Sequence, residues 1–234
     1  AFILIDQANN SKLLFVQHKF RISYLVSVLK YLLIFILFPL LVFSQEITLV
    51  ETSYLDAEKF VGIDFHDNSY YIKDQILFKK TNHSLFNFKD FQLGEIYSVD
   101  ISNPMNIAVY YQDFNVVVLL DNKLSEIERI NFNAIYEFIN TSQVSIAANT
   151  SLWAFNLDSQ QLELYNYRNQ NKTIVSQPLN GEVIQQVSNI NYCFLMTEKY
   201  IRAYNIYGSL IIEIPNEGYQ KISQINENLI VKKD

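Results

Sequence analysis

Sets of four short apolar segments, recurring about every 40 residues, constrain this chain more than any other feature of its sequence. The clearest part is NVVVLLDNKLSEIERI, residues 115–130, which reads as a β-hairpin. Its first arm, VVVLL, is a continuous apolar run, and such a run fits a strand buried on both faces. Asp121 and Asn122 mark the turn, because their side chains bond nearby backbone and tolerate left-handed geometry. In the second arm Leu124, Ile127 and Ile130 are separated by charged residues, as expected nearer an edge. QQLELYNYRNQNKTIV (160–175) and KYIRAYNIYGSLIIEI (199–214) repeat the pattern, with Gly208 supplying the last turn.

Each hairpin follows another apolar segment: NIAVYY (106–111), SLWAFNL (151–157) and NYCFLM (191–196). Before those stand IYSVDI (96–101), VSIAA (144–148) and VIQQV (183–187). An earlier set runs VGIDF, SYYIK, QILFKK and SLFNFK between residues 61 and 89. The second-segment centres Tyr71, Val109, Trp153 and Cys193 are 38, 44 and 40 residues apart. Four strands per unit at this period describe the blades of a β-propeller. Blades stack face to face, so inner strands are covered on both sides and lose alternation. No WD dipeptide or kelch double glycine is present, and a β-sandwich is the competing architecture.

A fifth unit begins with YQKISQI (219–225) and NLIVKKD (228–234), and EITLVETSYL (46–55) is available as an outer strand for it. The strand count leaves that blade short of a third strand, so the expectation is four blades plus a partial fifth, with a C-terminally incomplete domain over 45–234. With only five glycines in the chain, Asn is expected to take left-handed turn positions in their place.

The N-terminal region reads separately. KYLLIFILFPLLVFSQE (30–46) has a basic residue, an apolar run and a terminus suited to cleavage after Ser44. Residues 29–44 are therefore expected to be a secretory signal peptide, and residues 1–28 an upstream or non-native extension. The rival is a membrane anchor, since 22–43 carries only Lys30 as a charge. The domain is accordingly expected to be exported, periplasmic or at the cell surface, and to meet a membrane only through this segment if it stays uncleaved.

The first 44 residues hold four basic residues and one acidic residue of the chain's 18 and 24, leaving a net charge of −9 beyond Ser44. Such a balance repels phosphate backbones, and no basic stripe interleaved with aromatics occurs, so nucleic acid is not an expected partner.

Candidate chemistry is sparse. Cys193 lies inside an apolar segment, where a thiol is a small buried hydrophobe. Trp153, mid-segment, is expected in the core. The stretch IDFHDNSYY offers Asp64, His66 and Asp67 as candidate ligands for a divalent cation, but without the oxygen spacing and glycine of a calcium loop. The competing reading is a polar turn between the first two strands of a blade. No triad order, glycine-rich phosphate loop or zinc spacing is present, so no catalytic residue and no cofactor is expected.

SYYIKDQILFKK, LGEIYSVDISNPMNIAVYYQDFNVVVLLDNKLSEIERINF and SLWAFNLDSQQLELYNY, together with the LVFSQ terminus of the signal segment, resemble a group of exported proteins of Gram-negative bacteria. The resemblance covers most of the chain from about Lys30 and is most specific over 93–132. It implies export and a β-propeller-like fold, and brings no activity or catalytic residues with it. The expected function is a binding or scaffold module of the cell envelope with a protein or glycan partner. The alternatives are a hydrolase or other enzyme using the propeller channel, and a membrane-tethered sensor. Convergence of titratable residues at a channel mouth, with Asp64, His66 and Asp100 the ones to place, separates enzyme from binder.

Overall fold

The computed structural model describes residues 28–31, 54–225 and 228–233. The chain divides into units 1–54 and 55–234. In the first, residues 28–31 are helical and exposed; most of the signal-peptide segment, the upstream extension and the strand expected at 46–55 lie outside the described residues. No helix among the described residues is long and apolar enough to cross a membrane.

The second unit is all β. Its first blade is β1 (Lys59–Ile63), β2 (Ser69–Lys73), β3 (Ile76–Lys80) and β4 (Leu85–Phe88). The second is β5 (Ser98–Asp100), β6 (Ile107–Tyr111), β7 (Val116–Leu120) and β8 (Glu126–Asn131). The third is β9 (Thr141–Ala147), β10 (Ser151–Asn156), β11 (Gln161–Asn166) and β12 (Asn171–Ile174). The fourth is β13 (Val183–Ser188), β14 (Tyr192–Thr197), β15 (Tyr200–Asn205) and β16 (Leu210–Pro215). A hairpin, β17 (Lys221–Ile225) with β18 (Asn228–Lys232), begins a fifth. Each blade is an antiparallel meander with its strands in chain order. The arrangement is a β-propeller, not a sandwich.

Period-two geometry explains the apolar runs. Successive side chains of a strand point to opposite faces of its sheet. In β7, Val116, Val118 and Leu120 pack with Tyr70, Leu77 and Ile72 of the first blade. Val117 and Leu119 turn the other way, onto Leu152 and Ala154 of the third. In β10 the two remaining apolar faces, Trp153 and Phe155, meet Cys193 and Leu195 of the fourth. Phe194 and Met196 then face Ile222 of the terminal hairpin. One core thus repeats at each interface between successive blades, and a residue of either parity is buried. Trp153 also donates its indole N–H to the Asn189 carbonyl at 3.2 Å.

Outer strands lack this double cover. All of β16 is exposed, including Leu210, Ile211, Ile212 and Ile214. Gly62 marks a close approach between inner strands, since a Cβ there would stand 3.1 Å from Ile101 Cδ1. The turns depart from the expectation for asparagine. Left-handed backbone falls on Asn115 and Asn149 but also on Asp67, Asp74, Gln75, Leu124, Thr150, Gln160 and Gln170. At the turn joining the two arms of the 115–130 hairpin it is the buried Leu124, not Asp121 or Asn122, that takes positive φ. Asp121 instead accepts from the amides of Lys123 and Ser125 through Oδ1, both at 2.8 Å. Asn166 and Asn205 hold the equivalent turns of the next two blades in the same way, accepting from Arg168 and Tyr207.

Candidate functional site

The first strands of the blades, β1, β5, β9 and β13, together with β17, line a single cavity of about 570 Å³. This is the channel of the ring. Alternation along the inner strands sorts their side chains. Val99, Val144, Val187 and Ile222 go into the blade interfaces. Between and beside them, Ser98, Asp100, Gln143, Ser145, Gln186 and Ser188 line the channel wall.

Many of these polar groups fasten one blade to the next. Asp100 Oδ2 accepts from the Ile146 amide at 2.7 Å, joining β5 to β9, and its Oδ1 accepts from Ser102 at 2.8 Å. Ser145 Oγ receives Gln186 Nε2 at 2.9 Å and lies 2.6 Å from Ser188 Oγ, joining β9 to β13. Gln185 bridges to β17 twice, donating to the Ile222 carbonyl at 2.9 Å and accepting from its amide at 2.8 Å. Inner strands do not share a ladder, so side chains supply what backbone pairing would give inside a sheet. Burial raises the pKa of the Asp100 carboxyl, outweighing the backbone hydrogen bonds that favour its charged form. Gln186 Oε1 is buried in this wall with no hydrogen-bond partner among the described residues.

The residues singled out from the sequence separate. Asp64 lines the channel, but its carboxylate is occupied by its own turn. Oδ1 accepts from the amides of His66 (2.9 Å) and Asn68 (3.0 Å), and Oδ2 from Asn68 Nδ2 (3.0 Å) and the Tyr70 hydroxyl (2.9 Å). Lys79 Nζ is 3.9 Å from Oδ2 in a buried pair. Desolvation pushes this carboxyl up, yet the bonds from Asn68, His66 and Tyr70 more than offset it, and the pKa lies below its ordinary value. Burial, with the bond to Asp64 and its charge adding to it, drives the Tyr70 hydroxyl pKa upward. His66 and Asp67 are exposed on the turn, and His66 is not part of the channel lining. Asp64 and Asp100 thus face one cavity while His66 stands away. Among the described residues no three His, Cys, Asp or Glu side chains group closely enough to hold a metal ion.

Cys193 is fully buried, and desolvation lifts its thiol well above its ordinary pKa. Glu163 is also buried, its Oε1 held by Asn156 Nδ2 at 3.0 Å and by Ser159 at 3.3 Å, with Lys172 Nζ at 3.6 Å. The sequence reading missed the glutamines and serines of the inner strands. Their signal is the triplet Gln143-Val144-Ser145, repeated as Gln186-Val187-Ser188 and varied as Lys221-Ile222-Ser223.

No family model matches the chain, and no curated protein does. Solved structures do. A streptogramin B lyase superposes with a TM-score of 0.50 at 10% identity, over 71% of this chain and 57% of that one. The virginiamycin B lyase of Staphylococcus aureus gives 0.50 at 7% identity, over 75% and 62%. The chain therefore spans about three fifths of the length of these structures. At such identities the likeness establishes the fold alone, and that fold is the β-propeller.

Proposed function

We propose that the protein is an exported binding or scaffold module of the cell envelope, acting through the faces of its ring on a protein or glycan. The observation that carries this reading is the employment of the channel acids. Asp64 and Asp100 spend their carboxylate oxygens on donors of the protein itself: Asp64 on the His66 and Asn68 amides and the Asn68 and Tyr70 side chains, Asp100 on the amides of Ser102 and, in the neighbouring blade, Ile146. Such groups work as fasteners, and the free recognition surface lies at the strand ends. The acidic balance of the chain beyond Ser44 supports a partner other than nucleic acid.

The full chain, immobilised and exposed to envelope and cytosolic fractions of a Gram-negative host, tests this. Saturable retention of an envelope component, with no turnover of chromogenic ester, glycoside and phosphate substrates, is the expected result. Turnover of any of these by the purified chain would replace the binding reading with the channel-enzyme one.

A further inference from the structure

A second cavity, of about 810 Å³, opens among the second, third and fourth blades where their inner strands begin. Its wall is made of strand ends and turns: Tyr97 precedes β5, Gln112 follows β6, Ser142 and Gln143 open β9, and Gln160 precedes β11. The volume falls in the range of small-molecule sites, about 300–1,000 Å³.

Its chemistry is selective. Tyr97 packs edge-on against Tyr110, with ring centroids 5.8 Å apart and planes at 85°. Tyr110 is in turn fixed by its hydroxyl, 2.7 Å from the Thr141 carbonyl and 2.6 Å from Thr141 Oγ1. The Tyr97 ring is thus held in place while remaining 38% exposed. The amides of Gln112 and Gln143 make only long contacts, to the Ser142 carbonyl at 3.4 Å and the Tyr97 hydroxyl at 3.5 Å. Ser142 Oγ, in the same wall, is buried with no hydrogen-bond partner among the described residues. Gln160 holds the far wall in a left-handed turn, with Nε2 on the Leu157 carbonyl and its own carbonyl taking the Leu179 amide, both at 2.7 Å.

Among the described residues no Lys, Arg or His lines the cavity, and Glu182 is the carboxylate that does. Phosphate, sulfate and carboxylate ligands would meet repulsion with no compensating cation. Amides and hydroxyls both donate and accept, which matches sugar hydroxyls that do the same. Tyr97, Leu157 and Ile184 supply apolar surface for the C–H faces of a pyranose. An extended peptide would need an open strand edge for main-chain pairing, and strand ends and turns form this wall.

We infer that this cavity binds a neutral saccharide, a mono- to trisaccharide unit of a free or chain-borne glycan. The inference rests on the binding-module reading and names its ligand class. The test applies the full chain to an array of neutral di- and trisaccharides of glucose, galactose, mannose and N-acetylglucosamine, with phosphorylated and uronic-acid counterparts and a peptide array alongside. Retained sugars are then titrated calorimetrically. At least one neutral sugar is expected to bind, at least tenfold more weakly to Tyr97→Ala and to Ile184→Trp, which fills the cavity from an exposed position. Tyr136→Ala, far out in solvent, serves as the unchanged control. Both variants are compared with the parent by thermal melting, and the cavity-filling variant decides if Tyr97→Ala melts early. Failure of every neutral sugar, preference for the anionic ones, or equal binding by Ile184→Trp overturns the inference. A peptide bound by the parent and lost in Ile184→Trp overturns the saccharide class and leaves the binding module standing. Cleavage of an array sugar by the parent overturns the binding-module reading instead.

Discussion

Leu119 and Ile127 sit eight residues apart on one hairpin, yet their environments differ completely. Leu119 is 1% exposed between the second and third blades, whereas Ile127 is 52% exposed on the outer strand. Leu119→Ala should destabilise the protein by about 2–5 kcal/mol in urea unfolding. Ile127→Ala should stay within about 0.5 kcal/mol; equal losses would misplace the hairpin. Asp64 makes a second case. Its removal takes acceptors from the His66 and Asn68 amides and leaves the buried Lys79 facing an empty place. Asp64→Ala should cost about 3 kcal/mol at neutral pH. The folded carboxyl has a depressed pKa, so its contribution is full above the unfolded value of about 3.9 and is lost as pH falls through the folded value. The gap between parent and variant in thermal melting should therefore narrow below about pH 4. A gap constant from pH 7 to 2 would assign Asp64 no ionised role.

At the scale of elements, the blades are sheets that share no ladder, and their union depends on apolar faces plus a few side-chain bonds. Gln185 is the clearest of these because both ends of its amide engage Ile222. The terminal hairpin otherwise meets the fourth blade through Ile222, with Leu229 and Val231 packed against the same cluster. Gln185→Ala should raise hydrogen exchange of the Ile222 amide about tenfold, the equivalent of one ordinary hydrogen bond. Protection in β6 and β7 should not change. Uniform deprotection across all blades would mean that the ring opens only as a whole. Surface pairs contribute less: Arg129 bridges Asp90 and Glu126, both at 2.8 Å, at partly exposed positions where such contacts are worth little.

For the whole molecule, export is the proposal with the most consequence. If residues 29–44 act as a signal peptide, the processed protein begins at Gln45 and carries the net charge of −9. Mass spectrometry of the protein recovered outside the inner membrane should show that N-terminus. Recovery of an intact 1–44 segment in the membrane fraction would favour the anchored sensor. The ring itself would be unaffected, because the four blades pack through clusters drawn from residues 61–231.

Strand count, strand order and blade period were legible in the sequence because they rest on local rules. A run such as VVVLL can be buried throughout only between two apolar layers, and its recurrence at 38 to 44 residues fixes how many layers there are. The same locality placed Trp153 and Cys193 in the interior, where they are found. Local rules also found a polar turn at IDFHDNSYY, but could not say whether Asp64 faces solvent, a cation or its own backbone. That depended on the turn closing the Asp64 carboxylate onto the His66 and Asn68 amides and on Lys79 arriving from β3. The left-handed position in the 115–130 turn likewise went to Leu124 because its side chain joins the core of the first and second blades. The cavity of Tyr97, Gln112, Ser142 and Gln160 had no local signature, since three blades contribute to it. Periodicity is written into each strand by the alternation of its own side chains; a site assembled from the ends of distant strands exists only once the packing of successive blades sets their spacing.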